Sequence, residues 1–175
     1  MGSGYSLTAR CSNRLDTGER VDAAWTGAVS NSIGMTIPYD ETITVPLETD
    51  ALIQQRVADL IGRANRRQLW LLFLDDQRVQ LPVIMPIDGL PTAPPGTSDE
   101  AATLAQMIET AVDAADAASV VMVIERFGSS ELTPSDVAWA RSLHEACDAA
   151  AVQLRALLLS HRGGVRWIAQ DDYRF

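Results

Sequence analysis

The sequence predicts an α/β (α+β) fold built on a mixed β-sheet flanked by helices. Three features carry that prediction. Gln68–Leu74 and Ser119–Glu125 are almost continuous apolar runs, the pattern of strands covered on both faces. Two helix-opening signatures, Thr97-Ser-Asp-Glu100 and Thr133-Pro134, each start a segment of helical length. Strand-like and helix-like segments succeed one another as α-β-β-α-β-α-β-β, an order that layers helices on a sheet.

Residues 1–40 are rich in Gly, Ser, Thr, Asn and Asp and sustain no period of 2 or 3.6. They are expected to form a flexible or irregular N-terminal arm, leaving 41–175 as a single α/β domain. Trp25 and Ile33-Gly-Met-Thr-Ile37 are too apolar for a purely solvating tail, so part of the arm is expected to dock on the chain itself or on a partner. Thr42-Ile-Thr-Val-Pro46 alternates and predicts a short edge strand, because Pro46 cannot donate to a ladder. Thr49 or Asp50 then caps a helix with apolar positions at Leu52/Ile53, Val57, Leu60/Ile61 and Ala64. Arg63, Arg66 and Arg67 cluster behind it, where cations complement a helix C-terminus.

The apolar run Gln68–Leu74 ends in the turn Asp75-Asp-Gln-Arg78 and returns as Val79–Ile87, predicting a hairpin with a polar tip. Pro82 and Pro86 push the second strand to an edge. Asp88–Ser98, with Gly89, Pro91, Pro94, Pro95 and Gly96, is a loop that either covers a site or merely connects. The next helix carries Ala101, Leu104, Ile108, Ala111/Val112 and Ala115 on one stripe. Ser119–Glu125 follows as a Val- and Ile-rich strand, and Thr133-Pro134 supplies N-cap and first turn of the third helix. Leu154–His161 is a second buried strand, closed by the Gly-Gly hairpin Arg162-Gly-Gly-Val-Arg-Trp167.

A chain of 175 residues suits one domain with a sizeable core. Its net charge of −9 argues against nonspecific binding to nucleic acid or to anionic membranes, both of which need a positive surface. No apolar run approaches the roughly 20 residues of a membrane-spanning helix, and the N-terminus has no apolar core like that of a signal peptide. The expectation is a cytoplasmic protein without nucleic-acid or membrane partners. Two cysteines, Cys11 and Cys147, make neither a disulfide framework nor a tetrahedral zinc set.

The stretch from Arg67 to Trp167 resembles the JAB/JAMM (MPN) metalloprotease family, especially its RadC-like branch. Trp70-Leu-Leu-Phe-Leu-Asp75 is similar to the family's apolar strand ending in Leu-Asp, and Leu154-Arg-Ala-Leu157 is similar to the strand after its helix. The resemblance implies a JAB/MPN-like (cytidine-deaminase-like) sandwich. In that family a strand ends in His-x-His-Pro-Ser-Gly and a Ser-x-x-Asp opens the next helix. Two histidines and the aspartate hold zinc, with an open position for the water that the metal acidifies. Aligned without gaps, the two histidine positions fall on Val123 and Glu125, the glycine on Gly128, the serine on Thr133 and the aspartate on Asp136. Val123 cannot bind a metal, and two carboxylates suit a hard cation better than zinc. The resemblance therefore implies a catalytically inactive relative with no metal or other cofactor, of the kind that acts as a protein–protein interaction scaffold. Its partner is a protein, with a homodimer as one arrangement. The alternatives are a zinc-dependent isopeptidase or hydrolase with rearranged ligands, and a small α/β domain that binds an anion or nucleotide.

Individual residues carry plainer readings beside these. Asp136 at the third helical position suits a pairing with its N-cap and with the helix dipole. Glu125 ends its strand either as a partly buried group or as the point where the strand meets water. His144 and Cys147, three apart on one helix face, offer an N/S pair without two further ligands. Ser160 and His161 are adjacent on a strand and point to opposite faces, so they form no dyad. Gly128-Ser-Ser130 lacks a nucleotide-binding frame. For interaction, the candidate residues are Arg126 and Phe127 in the loop, Arg162, Arg166 and Trp167 in the hairpin, and Trp25 in the arm.

Overall fold

The computed structural model describes residues 44–174. Three helices and five strands follow the expected order: α1 (Asp50–Leu60), β1 (Gln68–Leu74), β2 (Gln80–Asp88), α2 (Ser98–Ala115), β3 (Ser119–Glu125), α3 (Pro134–Ala149), β4 (Leu154–His161) and β5 (Gly164–Trp167). A 3-10 turn, Gln170–Asp172, precedes the end. Trp25 and the expected arm lie outside the described residues, as do Thr42 and Ile43. Thr44, Val45 and Pro46, the described part of the expected edge strand, form no strand. Instead Leu47 is buried and its N–H donates to the Arg78 carbonyl at the tip of the β1–β2 hairpin, 2.9 Å away.

The strands pair in the order β2-β1-β3-β4-β5 as one mixed sheet. Only β3 and β4 run parallel, joined through α3; the other three pairs are antiparallel. Side chains alternate across the sheet. Leu69, Leu71, Phe73, Val120, Met122, Ile124, Leu157 and Leu159 meet α2 and α3 on one face. Leu72, Leu74, Val121, Val123, Ala156 and Leu158 meet α1 on the other. Both faces are covered, which is why the strands of β1 and β3 read as continuous apolar runs rather than alternating ones.

Caps set the helix ends. The Thr49 hydroxyl accepts from Leu52 N–H at 3.3 Å, and complete capping boxes open α2 (Thr97 and Glu100) and α3 (Thr133 and Asp136). Helix α1 stops at Leu60, because Gly62 turns left-handed at φ 66°. Ala64, expected on its apolar stripe, instead lies in the α1–β1 loop and donates to the His161 carbonyl. Ala101 in α2 is exposed, not on the stripe. Pro86 stands opposite Trp70 on the outer strand β2, as its missing N–H requires. No helix among the described residues is long and apolar enough to cross a membrane.

Candidate functional site

Three connections converge where the parallel strands β3 and β4 end: the α1–β1 loop, the β3–α3 loop and the β4–β5 turn. In open α/β sheets this end is where ligands commonly lie. Backbone bonds stitch the three together. Ala64 N–H donates to the His161 carbonyl at 3.1 Å, Arg126 N–H to Ser160 at 3.1 Å, and Arg162 N–H to Gly128 at 3.0 Å. The Ser160 hydroxyl donates to the Gly62 carbonyl at 2.8 Å.

Glu125 sits in the register row Gln68–Glu125–Ser160 and is only 2% exposed. One carboxylate oxygen accepts from the backbone N–H groups of Asn65 (2.8 Å) and Arg66 (3.4 Å). The other accepts from the Gln68 amide and from the Trp70 indole N–H, the latter at 2.8 Å. Burial pushes its pKa up, but these four donors outweigh that and hold the carboxyl below its ordinary value. The group is therefore an ionised internal acceptor that fixes the α1–β1 loop. With its oxygens enclosed by donors, it is badly placed to serve as a base for an external substrate.

Asp136, fully buried, does the same at the opposite face. Arg126 grips it with Nε at 3.0 and 2.8 Å from the two oxygens, and its NH2 lies 2.7 Å from Oδ2. Thr133 donates to Oδ2 from both N–H and hydroxyl, each at 2.8 Å. Burial raises the Asp136 pKa, while Arg126 and Thr133 lower it by more, leaving it below the ordinary range. The remaining guanidinium donors of Arg126 reach the carbonyls of Ser129 (3.1 Å) and Glu131 (2.6 Å). One arginine thus shapes the whole β3–α3 loop. Gly128 makes room for it: a Cβ there would stand 2.5 Å from the Arg126 NH1, on a backbone at φ 142°.

The five motif positions therefore do not converge. Val123 is buried among the apolar side chains on the α1 face. Glu125 shares that face, whereas Thr133 and Asp136 belong to α3 on the other. His144 and Cys147 do share a face of α3, but burial, aided by Asp148, pushes the Cys147 thiol up to about 12, far from a ligating thiolate. His144 Nε2 lies 2.9 Å from Arg174 NH2. The Nδ1 of His161 accepts from Gly163 N–H at 3.1 Å. Among the described residues, no three His, Cys, Asp or Glu side chains are placed to hold a metal ion.

The interaction candidates divide. Arg126 is buried within its loop rather than displayed on it. Trp167 is half-buried and packs on the α1-side core. Arg166 donates to the Ser130 carbonyl at 2.9 Å and pairs with Asp172 at 3.5 Å, so it braces hairpin against loop. Phe127 is 67% exposed, with the Arg162 guanidinium 5.8 Å over its ring. Arg66 and Arg67 do not serve the end of α1: Arg66 pairs with Asp88 at 3.5 Å, while Arg67 bonds the Leu90 and Pro91 carbonyls and the Ser135 hydroxyl. Those bonds, with one from the Trp139 indole to Pro91 at 2.8 Å, pin the Pro-rich loop as a connector. Sequence reasoning missed Asn65, Gln68 and Trp70 as the partners of Glu125; only the register of β1 on β3 brings them there.

Compared with known proteins, the chain matches no family model and no curated protein.

Proposed function

We propose that this chain is a JAB/MPN-like, RadC-like domain without catalytic zinc that acts as a protein–protein interaction scaffold. The observation that carries this reading is the commitment of the motif carboxylates. Glu125 is enclosed by four donors on the α1 face and Asp136 is ion-paired to Arg126 on the α3 face, so neither is available to a metal shared with the other. The mixed five-stranded sheet with helices on both faces supports the sandwich architecture. On the surface at this end stands an exposed aromatic with an arginine over its ring, 5.8 Å from the ring centre, and Arg is among the residue types enriched at interface hot spots.

The test is bound-metal stoichiometry by elemental analysis on tag-free protein purified without chelator. A folded protein with no stoichiometric zinc is the expected result. About one tightly held zinc per chain would overturn the reading, since a closed or catalytic zinc site needs three or four protein ligands.

A further inference from the structure

We propose that the rim formed by Phe127, Arg162 and Arg63 binds an acidic peptide segment of a partner protein, one in which carboxylates flank an apolar side chain. The inference rests on the scaffold reading and specifies its partner.

The mode of binding follows first from what the sheet edges deny. On β2, two of nine residues are proline, and Pro82 and Pro86 share the parity of the positions facing outward, so the edge cannot present a regular row of donors. On β5 the carbonyl of Val165 accepts from the Gln54 amide at 2.9 Å, and that of Trp167 from the Arg166 Nε at 3.1 Å. Each edge is thus poorly suited to strand addition, one of the ways an extended peptide joins a sheet. A partner has to use side chains on the loops.

The loops supply them at one place. Arg162 follows His161, Arg63 precedes Ala64, and the Ala64–His161 backbone bond holds the two arginines on adjoining segments. The Arg162–Gly128 bond brings the same turn against the loop that carries Phe127. Both arginines are exposed, and among the described residues neither guanidinium is paired with a carboxylate, unlike Arg66, Arg126 and Arg166 at this end. Arg162 lies over the Phe127 ring, its guanidinium carbon 5.8 Å from the ring centre, and an arginine so placed can take a carboxylate in a bidentate pair. The exposed ring supplies the apolar contact beside it.

Charge selects the partner. The chain carries −9 overall and all 14 of its basic side chains are arginine, so a cationic rim on it is a local feature. The His161 pKa is lowered by burial and then by Arg126 and Arg166, consistent with a positive potential there. Glu131 is the exposed acid on the β3–α3 loop, and Asp88 and Asp172 are paired to arginines. A net-acidic chain repels a polyanion such as single-stranded nucleic acid at long range, whereas a short acidic segment of a protein meets only the rim. A second copy fits less well: a two-fold interface would set Arg162 and Arg63 against their own like.

Fluorescence anisotropy of the full chain with labelled peptides tests this, using peptides in which Glu and Asp runs flank one Leu or Trp. Controls are the same peptides with Gln and Asn, and a single-stranded oligonucleotide. Saturable binding that weakens with salt, falls about tenfold in both Arg162→Ala and Phe127→Ala, and is unchanged in Arg78→Ala at the other end of the sheet is expected. Arg162→Glu, a surface change, should abolish it while circular dichroism stays native. Equal binding of the Gln/Asn peptides, preference for the oligonucleotide, or indifference to Arg162→Glu would each overturn the inference. Mass spectrometry of the peptides after incubation separates the two readings: cleaved peptide overturns the scaffold, while intact but unbound peptide overturns only the acidic partner.

Discussion

Glu125 and Asp136, the two carboxylates at the motif positions, stand on opposite faces of the sheet and answer to different partners. Glu125 holds the α1–β1 loop through neutral donors, and Asp136 holds the β3–α3 loop through Arg126. The two charges stabilise the site's scaffolding from both sides, and each has a distinct consequence when removed.

Asp136→Ala leaves the Arg126 guanidinium buried without a counter-charge, and it also removes half of the α3 capping box. The expected loss is about 3–5 kcal/mol, read from urea unfolding. Arg126→Met in the Asp136→Ala background should recover part of that loss, because an apolar pair strands no charge. A double variant no more stable than the single one would count against the ion pair as the cause.

The pH dependence has a definite sign. Both carboxyls have folded-state pKa values below their unfolded ones, so they contribute stability above the unfolded values of about 3.9 and 4.3. That contribution drains away as the pH falls through the lower folded values. The unfolding free energy should therefore decline as the pH is lowered through about 4, and Glu125→Gln should shallow the decline while lowering stability at neutral pH. Denaturant titrations across that range would show it; a Glu125→Gln curve parallel to the parent would contradict it.

Gly128→Ala places a methyl against the Arg126 guanidinium on a backbone that side chains rarely adopt. A loss of about 1–3 kcal/mol is expected, with amide exchange accelerated in the β3–α3 loop. Gly96→Ala, where a Cβ meets nothing, is the matched control and should cost little.

Trp167→Ala should act on stability rather than on association, since the ring packs against the α1-side core. A cost of about 2–4 kcal/mol with unchanged sedimentation is the expected pair of results. Native stability with a changed sedimentation coefficient would restore Trp167 as a contact residue.

The buried, neutral Cys147 thiol should resist iodoacetamide at pH 8 in the folded protein and react once the chain is unfolded, as peptide mapping would reveal.

Much of the fold was legible along the chain. The strands Gln68–Leu74 and Ser119–Glu125, the caps at Thr49, Thr97 and Thr133, and the edge placement of a strand containing Pro82 and Pro86 all follow from local rules. Periodicity, capping and proline geometry act within a few residues, so sequence alone fixes them. Helix α1 ran shorter than its apolar stripe because Gly62 ended it, a signal present in the sequence but outweighed there by Ala64.

The site was different. Asp136 at its cap was readable, since its partner Thr133 lies three residues away. That Asn65, Gln68 and Trp70 would surround Glu125, some 55 to 60 positions on, depended on the antiparallel register of β1 against β3. That Arg126 would turn inward and leave Phe127 and Arg162 outside depended on where α3 delivered Asp136. By itself the sequence determined most of the helices and strands among the described residues, though not the edge strand expected at Thr42–Pro46. The tertiary structure decided which carboxylate meets which donor, because register and loop closure are properties of elements packed together rather than of any one of them.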